Sequence, residues 1–198
     1  MRYMMDGFTA DTAESALALL GDMLAARGQR HEIVIIGGTC LLMTRVTTRV
    51  TRDVDVVAGL EKGELVRMQA LPTSLADAAT DVARQLELPS NWLNTGPAGM
   101  TEGAGLPEGF LARTERREFN GLTVHLAGRA DMIAFKVYAA ADQFGDVANK
   151  HLGDLELLAP TPDELAFASA WCRKQDNSTG FAMLLDATLA DLERRRVE

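Results

Sequence analysis

Residues 33 to 57 read IVIIGGTCLLMTRVTTRVTRDVDVV. An apolar, β-branched run ends in Gly37-Gly38, an apolar stretch follows, and a second run alternates Asp53 and Asp55 with valines. The first run, EIVII over residues 32 to 36, has the length and composition of a short buried strand. TCLLMTR suits a helix that opens at the glycine turn, and DVDVV suits a second strand. On a strand, residues two apart face the same way. Asp53 and Asp55 therefore project together while Val54, Val56 and Val57 serve the core. Two carboxylates this close repel unless they are solvated, paired with arginine or bridged by a cation. An isolated Asp-x-Asp is most often a charged edge facing water.

The glycines shift that balance. A Gly-Gly turn between strand and helix lets backbone N–H groups approach a ligand at the helix start. Thr39 adds a hydroxyl there, as a helix cap or a phosphate contact. No Gly-Lys-Ser/Thr follows, so this is not a P-loop, and there is no dinucleotide fingerprint. Turn, helix, then paired acids on the next strand is a layout that holds a nucleoside triphosphate. The turn grips phosphates, and the acids hold an oxygen-loving ion such as Mg²⁺.

The rest of the chain reads as follows. Residues 11 to 27 form a helix, with Ala16, Leu17, Leu20, Met23 and Leu24 at helical spacing and Gly28 as a stop. Residues 61 to 70 and 75 to 87 look helical. Residues 89 to 109 hold five glycines and three prolines, so they read as a loop. A loop of that length is usually functional or mobile. Residues 119 to 126, FNGLTVHL, read as a strand. Helices are expected over 129 to 142, 146 to 158, 162 to 174 and 178 to 196. The fold class is α+β: a small mixed sheet flanked by helices, then a helical C-terminal part. We divide the chain into a core over 1 to 128 and a helical part over 129 to 198, which together can form one domain.

Composition narrows the function classes. The chain has 198 residues and a net charge of −8. That charge disfavours a broad nucleic-acid-binding face. Two local basic clusters stand out, Arg45, Arg49 and Arg52, and Arg113, Arg116 and Arg117; the second reads as solvated surface. No apolar run reaches membrane-span length and the N-terminal segment lacks a signal-peptide core. Cys40 and Cys172 give neither a disulfide framework nor a metal spacing, so a cytoplasmic setting is expected. Cys40 reads as core. His31, His125 and His151 read as structural, with a polar site residue as the alternative reading of His151.

GGT…RVTRDVDVV resembles the signature of the nucleotidyltransferase superfamily with the polymerase beta-like fold. The similarity is greatest to minimal bacterial members related to the AbiEii and MenT toxins. The resemblance implies that Gly37, Gly38 and Thr39 line the phosphates, with Arg52 beside them. It implies that Asp53 and Asp55 are metal ligands for Mg²⁺ (or Mn²⁺). A second stretch, ADMIAFKVYAAADQFGDVANKHLGDLELLAPTPDEL, resembles the second block of the same families. There Lys136 matches a lysine that meets the triphosphate, and Asp154 matches an acid that serves as base or supports the metal. Read without the resemblance, Lys136 is a snorkelling lysine and Asp154 a surface acid. NWLNTG with LPEGF resembles a loop near the nucleotide, where Trp92 or Asn94 touches base or sugar, although a packed Trp92 is the plainer reading. The chain departs from the relatives at Ala141-Asp142-Gln143 and at Lys150-His151.

The activity implied is transfer of a nucleoside monophosphate from ATP or another nucleoside triphosphate to a hydroxyl, on a tRNA end or a protein. The role implied is the toxin of a toxin–antitoxin pair, with an antitoxin protein as partner and no membrane. Two other readings stand beside it: a non-catalytic nucleotide- or partner-binding module on this fold, and a small-molecule (antibiotic) nucleotidyltransferase.

Overall fold

The structure, a computed structural model, describes residues 7–146 and 149–195. The chain divides into two compact units. The first takes Met1–Gly99 and Leu111–Ala127, the second Met100–Phe110 and Gly128–Glu198.

The first unit is built on a mixed sheet. Its strands are β1 (His31–Ile36), β2 (Val54–Glu61), β3 (Glu64–Arg67), β4 (Leu93–Asn94), β5 (Glu115–Phe119) and β6 (Leu122–Leu126). The spatial order is β3-β2-β1-β6-β5, with β4 paired to β2 off that path. β1 runs antiparallel to β2 and parallel to β6, while β4 is parallel to β2. The helices are α1 (Ala10–Ala26), α2 (Gly37–Met43) and α3 (Thr73–Leu86).

Register sorts the sheet into two faces. Ile33, Ile35, Val56, Val124 and Leu126 share one, because Ile33 pairs with Val124 and Ile35 with both Leu126 and Val56. All five are completely buried. α1 lies on this face: Arg117, opposite Val124, bonds Glu14 of α1 at 2.6 Å. The other face carries Glu32, Thr123, His125 and Asp55, by the pairs Glu32–Thr123, Val34–His125 and Ile36–Asp55. This second face also holds the buried Val34 and Ile36. The period of two sets Asp55 on that face and its neighbour Val56 on the opposite one.

Two segments fold otherwise than the sequence suggests. Residues 61 to 70, expected as helix, form the β2–β3 hairpin. Lys62 and Gly63 both take positive φ, 54° and 83°, and join Glu61 directly to Glu64. Glu, Lys and Leu favour helix in isolation, but a two-residue turn of this hand matches the strand twist, and sheet pairing overrides propensity. Residues 119 to 126, expected as one strand, break at Asn120-Gly121 into β5 and β6. The charged run Glu115–Glu118 hid β5, an edge strand that charges protect from further pairing. Arg116 is exposed, as expected of its cluster. Arg117 instead is half-buried and donates to the Met43 carbonyl at 2.8 Å, closing the end of α2.

The segment read as one loop over 89 to 109 is shared between the units. Its first part supplies β4 and is held by Trp92, which is fully buried. The Trp92 indole donates to Ala79 O at 2.9 Å and its ring lies 6.0 Å from Phe8.

The second unit is helical: α4 (Arg129–Asp142), α5 (Lys150–Leu158), α6 (Pro162–Gln175) and α7 (Thr179–Arg195). The helix expected over 146 to 158 starts only at Lys150, where the Asn149 side chain caps it by accepting from His151 N. Of the expected helices, residues 147, 148 and 196 lie outside the described residues. Phe110, Phe135, Trp171, Tyr138 and Phe181 form a chain of ring contacts at 5.0 to 6.1 Å. Residues 100–110 are seated on α6, where Trp171 donates to Gly105 O at 3.0 Å and Gln175 Oε1 accepts from Ala104 N at 3.0 Å. α6 opens with Pro162 behind a Thr161–Glu164 capping box. Among the described residues, no helix is long and apolar enough to cross a membrane.

Candidate active site

β1 is buried from Ile33 to Ile36 and ends at Gly37, whose φ of +79° only glycine adopts without strain. The next helix, α2, is seven residues long, with Thr39 to Met43 all buried. No side chain caps its start, so the first-turn amides have no partner within the helix.

The reason for two glycines is visible in what faces them. Ile36 stands opposite Asp55 in the β1–β2 ladder. A methyl group on Gly37 would overlap the Asp55 carboxylate. One on Gly38 would stand 2.7 Å from the Thr51 hydroxyl oxygen. The turn and the acid strand are therefore in direct contact.

Residues 51 to 55 are fixed from several sides. Thr51 and Phe8 exchange backbone hydrogen bonds at 3.1 and 2.5 Å. Thr39 is fully buried and its hydroxyl donates to Asp53 O at 2.6 Å. Val54 N donates to Trp92 O at 2.5 Å. Asp53 comes one residue ahead of β2 and Asp55 is its second residue; both are half-buried. Asn94 pairs with Asp55 on the side away from Ile36. Arg45, Arg49 and Arg52 are exposed along the link from α2 to β2, Arg45 with φ 60°.

Each sequence-predicted residue can now be placed. Gly37, Gly38, Thr39, Arg52, Asp53 and Asp55 all belong to the first unit, and the glycine turn meets Asp55. The Thr39 hydroxyl neither caps α2 nor stands open; it holds the Asp53 main chain. Lys136 and Asp154 belong to the second unit and are brought to each other. The Lys136 ammonium donates to Asp154 Oδ2 at 2.6 Å, with side chains 6% and 1% exposed. Asp154 is thus a buried acid on α5, and Lys136 a buried lysine on α4 rather than a snorkelling one.

Sequence reasoning did not single out Thr51 or the Trp92 carbonyl, and no local pattern marks either. The histidines have structural partners where the bonds are defined. His125 Nε2 meets Glu32 Oε1 at 2.6 Å and Nδ1 meets Thr114 Oγ1 at 3.1 Å. His31 Nε2 bonds Ser74 Oγ at 2.8 Å, and burial lowers its pKa. The Cys40 and Cys172 thiols are buried against Ala127 O and Ala134 O at 3.5 and 3.7 Å. Burial pushes Cys172 up to about 12.

Among the described residues, no group of three or more His, Cys, Asp or Glu is placed to hold a metal. An ion at Asp53 and Asp55 would therefore depend on oxygens brought by substrate and water. That donor set fits Mg²⁺, which commonly takes one or two carboxylates plus phosphates.

Comparison with curated proteins gives no match, and neither does comparison with solved structures. A family model described as a nucleotidyltransferase of unknown function (DUF6036) matches residues 16–160, which include the glycine turn, the acid strand and the Lys136–Asp154 pair. The chain belongs to that nucleotidyltransferase family.

Proposed function

We propose that the protein moves a nucleoside monophosphate from a nucleoside triphosphate to a hydroxyl acceptor, with Mg²⁺ or Mn²⁺ held by Asp53 and Asp55. The observation that carries this is the contact between the Gly37 turn and the Asp55 carboxylate, in a chain of a nucleotidyltransferase family. Uncapped amides at Gly37 and Gly38 take phosphate oxygens, and Arg52 offsets their charge. Thr39 and the Trp92 carbonyl hold the acid strand at fixed register, so little reorganises when substrate arrives. The bound ion supplies the charge that acidifies the acceptor hydroxyl and offsets the leaving group. The acceptor oxygen bonds to the α-phosphorus, the α–β anhydride breaks, and pyrophosphate leaves. Few residues suffice, because phosphoryl chemistry is mostly positioning and electrostatics.

In this reading Lys136 offsets phosphate charge and Asp154 takes the acceptor proton, and their bond to each other competes with both roles. The closed pair is the specific observation that favours the second reading, a nucleotide-binding module without transfer. The acceptor proposed is a tRNA end or a protein hydroxyl. The biological role proposed is that of a cytoplasmic toxin held by an antitoxin, as the resemblance to the AbiEii and MenT families implies. Induced expression should then arrest growth, and Asp55→Ala should relieve the arrest.

The deciding experiment offers each α-³²P nucleoside triphosphate with Mg²⁺ to total tRNA and total cell protein, for the wild type and Asp55→Ala. Label lost with the variant supports transfer and names the acceptor class. Metal-dependent nucleotide binding without transfer to either pool moves the assignment to the binding module or to a small-molecule acceptor. Absence of both overturns the reading of the glycine turn and acids.

A further inference from the structure

We infer that Asn94 is a further binding residue of the acid site, donating a hydrogen bond from its side-chain amide to a phosphate oxygen of the bound nucleotide. This rests on the nucleotide reading above. β4 is only two residues long, yet it is pinned at each end. Trp92 just before it is buried, bonded to Ala79 O, and bonded through its carbonyl to Val54 N. Thr95 just after it donates to Gln69 O at 3.0 Å. The parallel register pairs Val54 with Leu93 and Asp55 with Asn94. Paired residues on neighbouring strands share a face at a backbone separation of about 4.8 Å, so Asn94 flanks Asp55 on the side opposite Ile36.

The amide's orientation is set by a main-chain donor. Gly96 N–H bonds Asn94 Oδ1 at 2.8 Å, which identifies the oxygen and leaves the NH₂ as the end that this bond does not engage. An NH₂ group cannot ligate a cation. Beside Asp55 such a donor can meet the carboxylate itself or phosphate oxygens gathered on a metal held there, and the inference assigns it to the phosphate. Asn94 is half-buried, so such a bond is only partly screened by water.

Asn94→Asp separates this role from a structural one. It keeps the oxygen that accepts from Gly96 N–H, so the turn and the thermal midpoint should be preserved. It replaces a donor by an anionic oxygen next to Asp55. Mn²⁺ alone, followed by electron paramagnetic resonance, should bind about three- to tenfold more tightly, because a carboxylate has been added. Binding of ATP, GTP, CTP and UTP, each titrated with Mn²⁺ by calorimetry, should weaken about tenfold or more for whichever the wild type binds. These opposite shifts are the expected result. Asn94→Ala removes the donor without adding charge. It should weaken nucleotide binding likewise and keep the wild-type affinity for Mn²⁺ alone. An Asn94→Ala variant that binds nucleotide as the wild type does overturns the inference. An Asn94→Asp variant that binds both ligands as the wild type does also overturns it and leaves the proposed function standing. So does parallel weakening of both, which marks a structural role. A wild type that binds Mn²⁺ but no nucleotide overturns the proposed function, and the inference with it.

Discussion

The hydroxyl of Thr39 donates to the main-chain carbonyl of Asp53 across a gap of fourteen positions, at 2.6 Å. The residue next to the glycine turn thereby fixes the backbone that presents both acids. Thr39→Val removes the donor and leaves a carbonyl without it, at a cost of about 1–3 kcal/mol. Chemical denaturation should show that loss, and Mn²⁺ affinity should fall several-fold. Thr39→Ser keeps the hydroxyl and should stay close to the wild type in both.

Gly37 and Gly38 should differ in tolerance. Gly37→Ala meets two penalties, a positive φ and overlap with the Asp55 carboxylate. Backbone strain of this kind costs about 1–3 kcal/mol, and displacing Asp55 should remove most Mn²⁺ binding. Gly38→Ala carries no positive φ and meets the Thr51 side chain, whose hydroxyl can rotate away while its Cβ, 3.0 Å from the new methyl, needs a small backbone shift. Its thermal midpoint should fall less, and its Mn²⁺ binding should survive.

Lys136 and Asp154 are buried partners. Removing one leaves the other charge without its counterpart, at about 3–5 kcal/mol, whereas replacing both by apolar residues is often neutral or stabilising. Lys136→Met and Asp154→Leu should each destabilise in urea, and the double variant should recover most of the loss. Transfer activity gives the complementary readout. A stable double variant that still transfers nucleotide makes the pair structural; one that folds but is inactive supports the charge role of Lys136.

Glu164 offers a pH test confined to the second unit. The Arg129 guanidinium, 2.7 Å away, lowers its pKa, with the Thr161 amide also contributing. The folded value lies below the unfolded one, near the ordinary 4.5. The stabilisation is therefore complete above that unfolded value and is lost as pH falls through the depressed folded value. Glu164→Gln should flatten the acid limb of the stability curve in that window. An unchanged acid limb would count against the coupling.

Both thiols should be silent in the native protein. Cys172 is held up to about 12 by burial, and Cys40 is buried as well. A thiol-reactive dye at pH 8 should label neither until denaturant is added. Rapid labelling in buffer would show that the core opens.

Much of the site is legible along the chain because its elements are local and strongly patterned. The run from Ile33 to Val57 reveals strand, turn, helix and acid strand by the switch from an apolar β-run to alternation around two glycines. The helices of the second half are legible as well, although α5 starts at Lys150 rather than at residue 146. The hairpins are less legible. Lys62-Gly63 and Asn120-Gly121 sit in charged or helix-favouring runs, and only pairing with β2 and β6 gives those runs a partner.

By itself the sequence determined the order of elements, the contiguous glycine-acid motif and the family, since each depends on residues close in the chain or on their order. Tertiary structure alone decided that Thr39 turns to Asp53, that Asn94 flanks Asp55, and that Lys136 closes on Asp154. Those pairings join residues 14 to 39 positions apart. A side chain's partner at such distances depends on which strands and helices pack together and in what register, and no local periodicity encodes that.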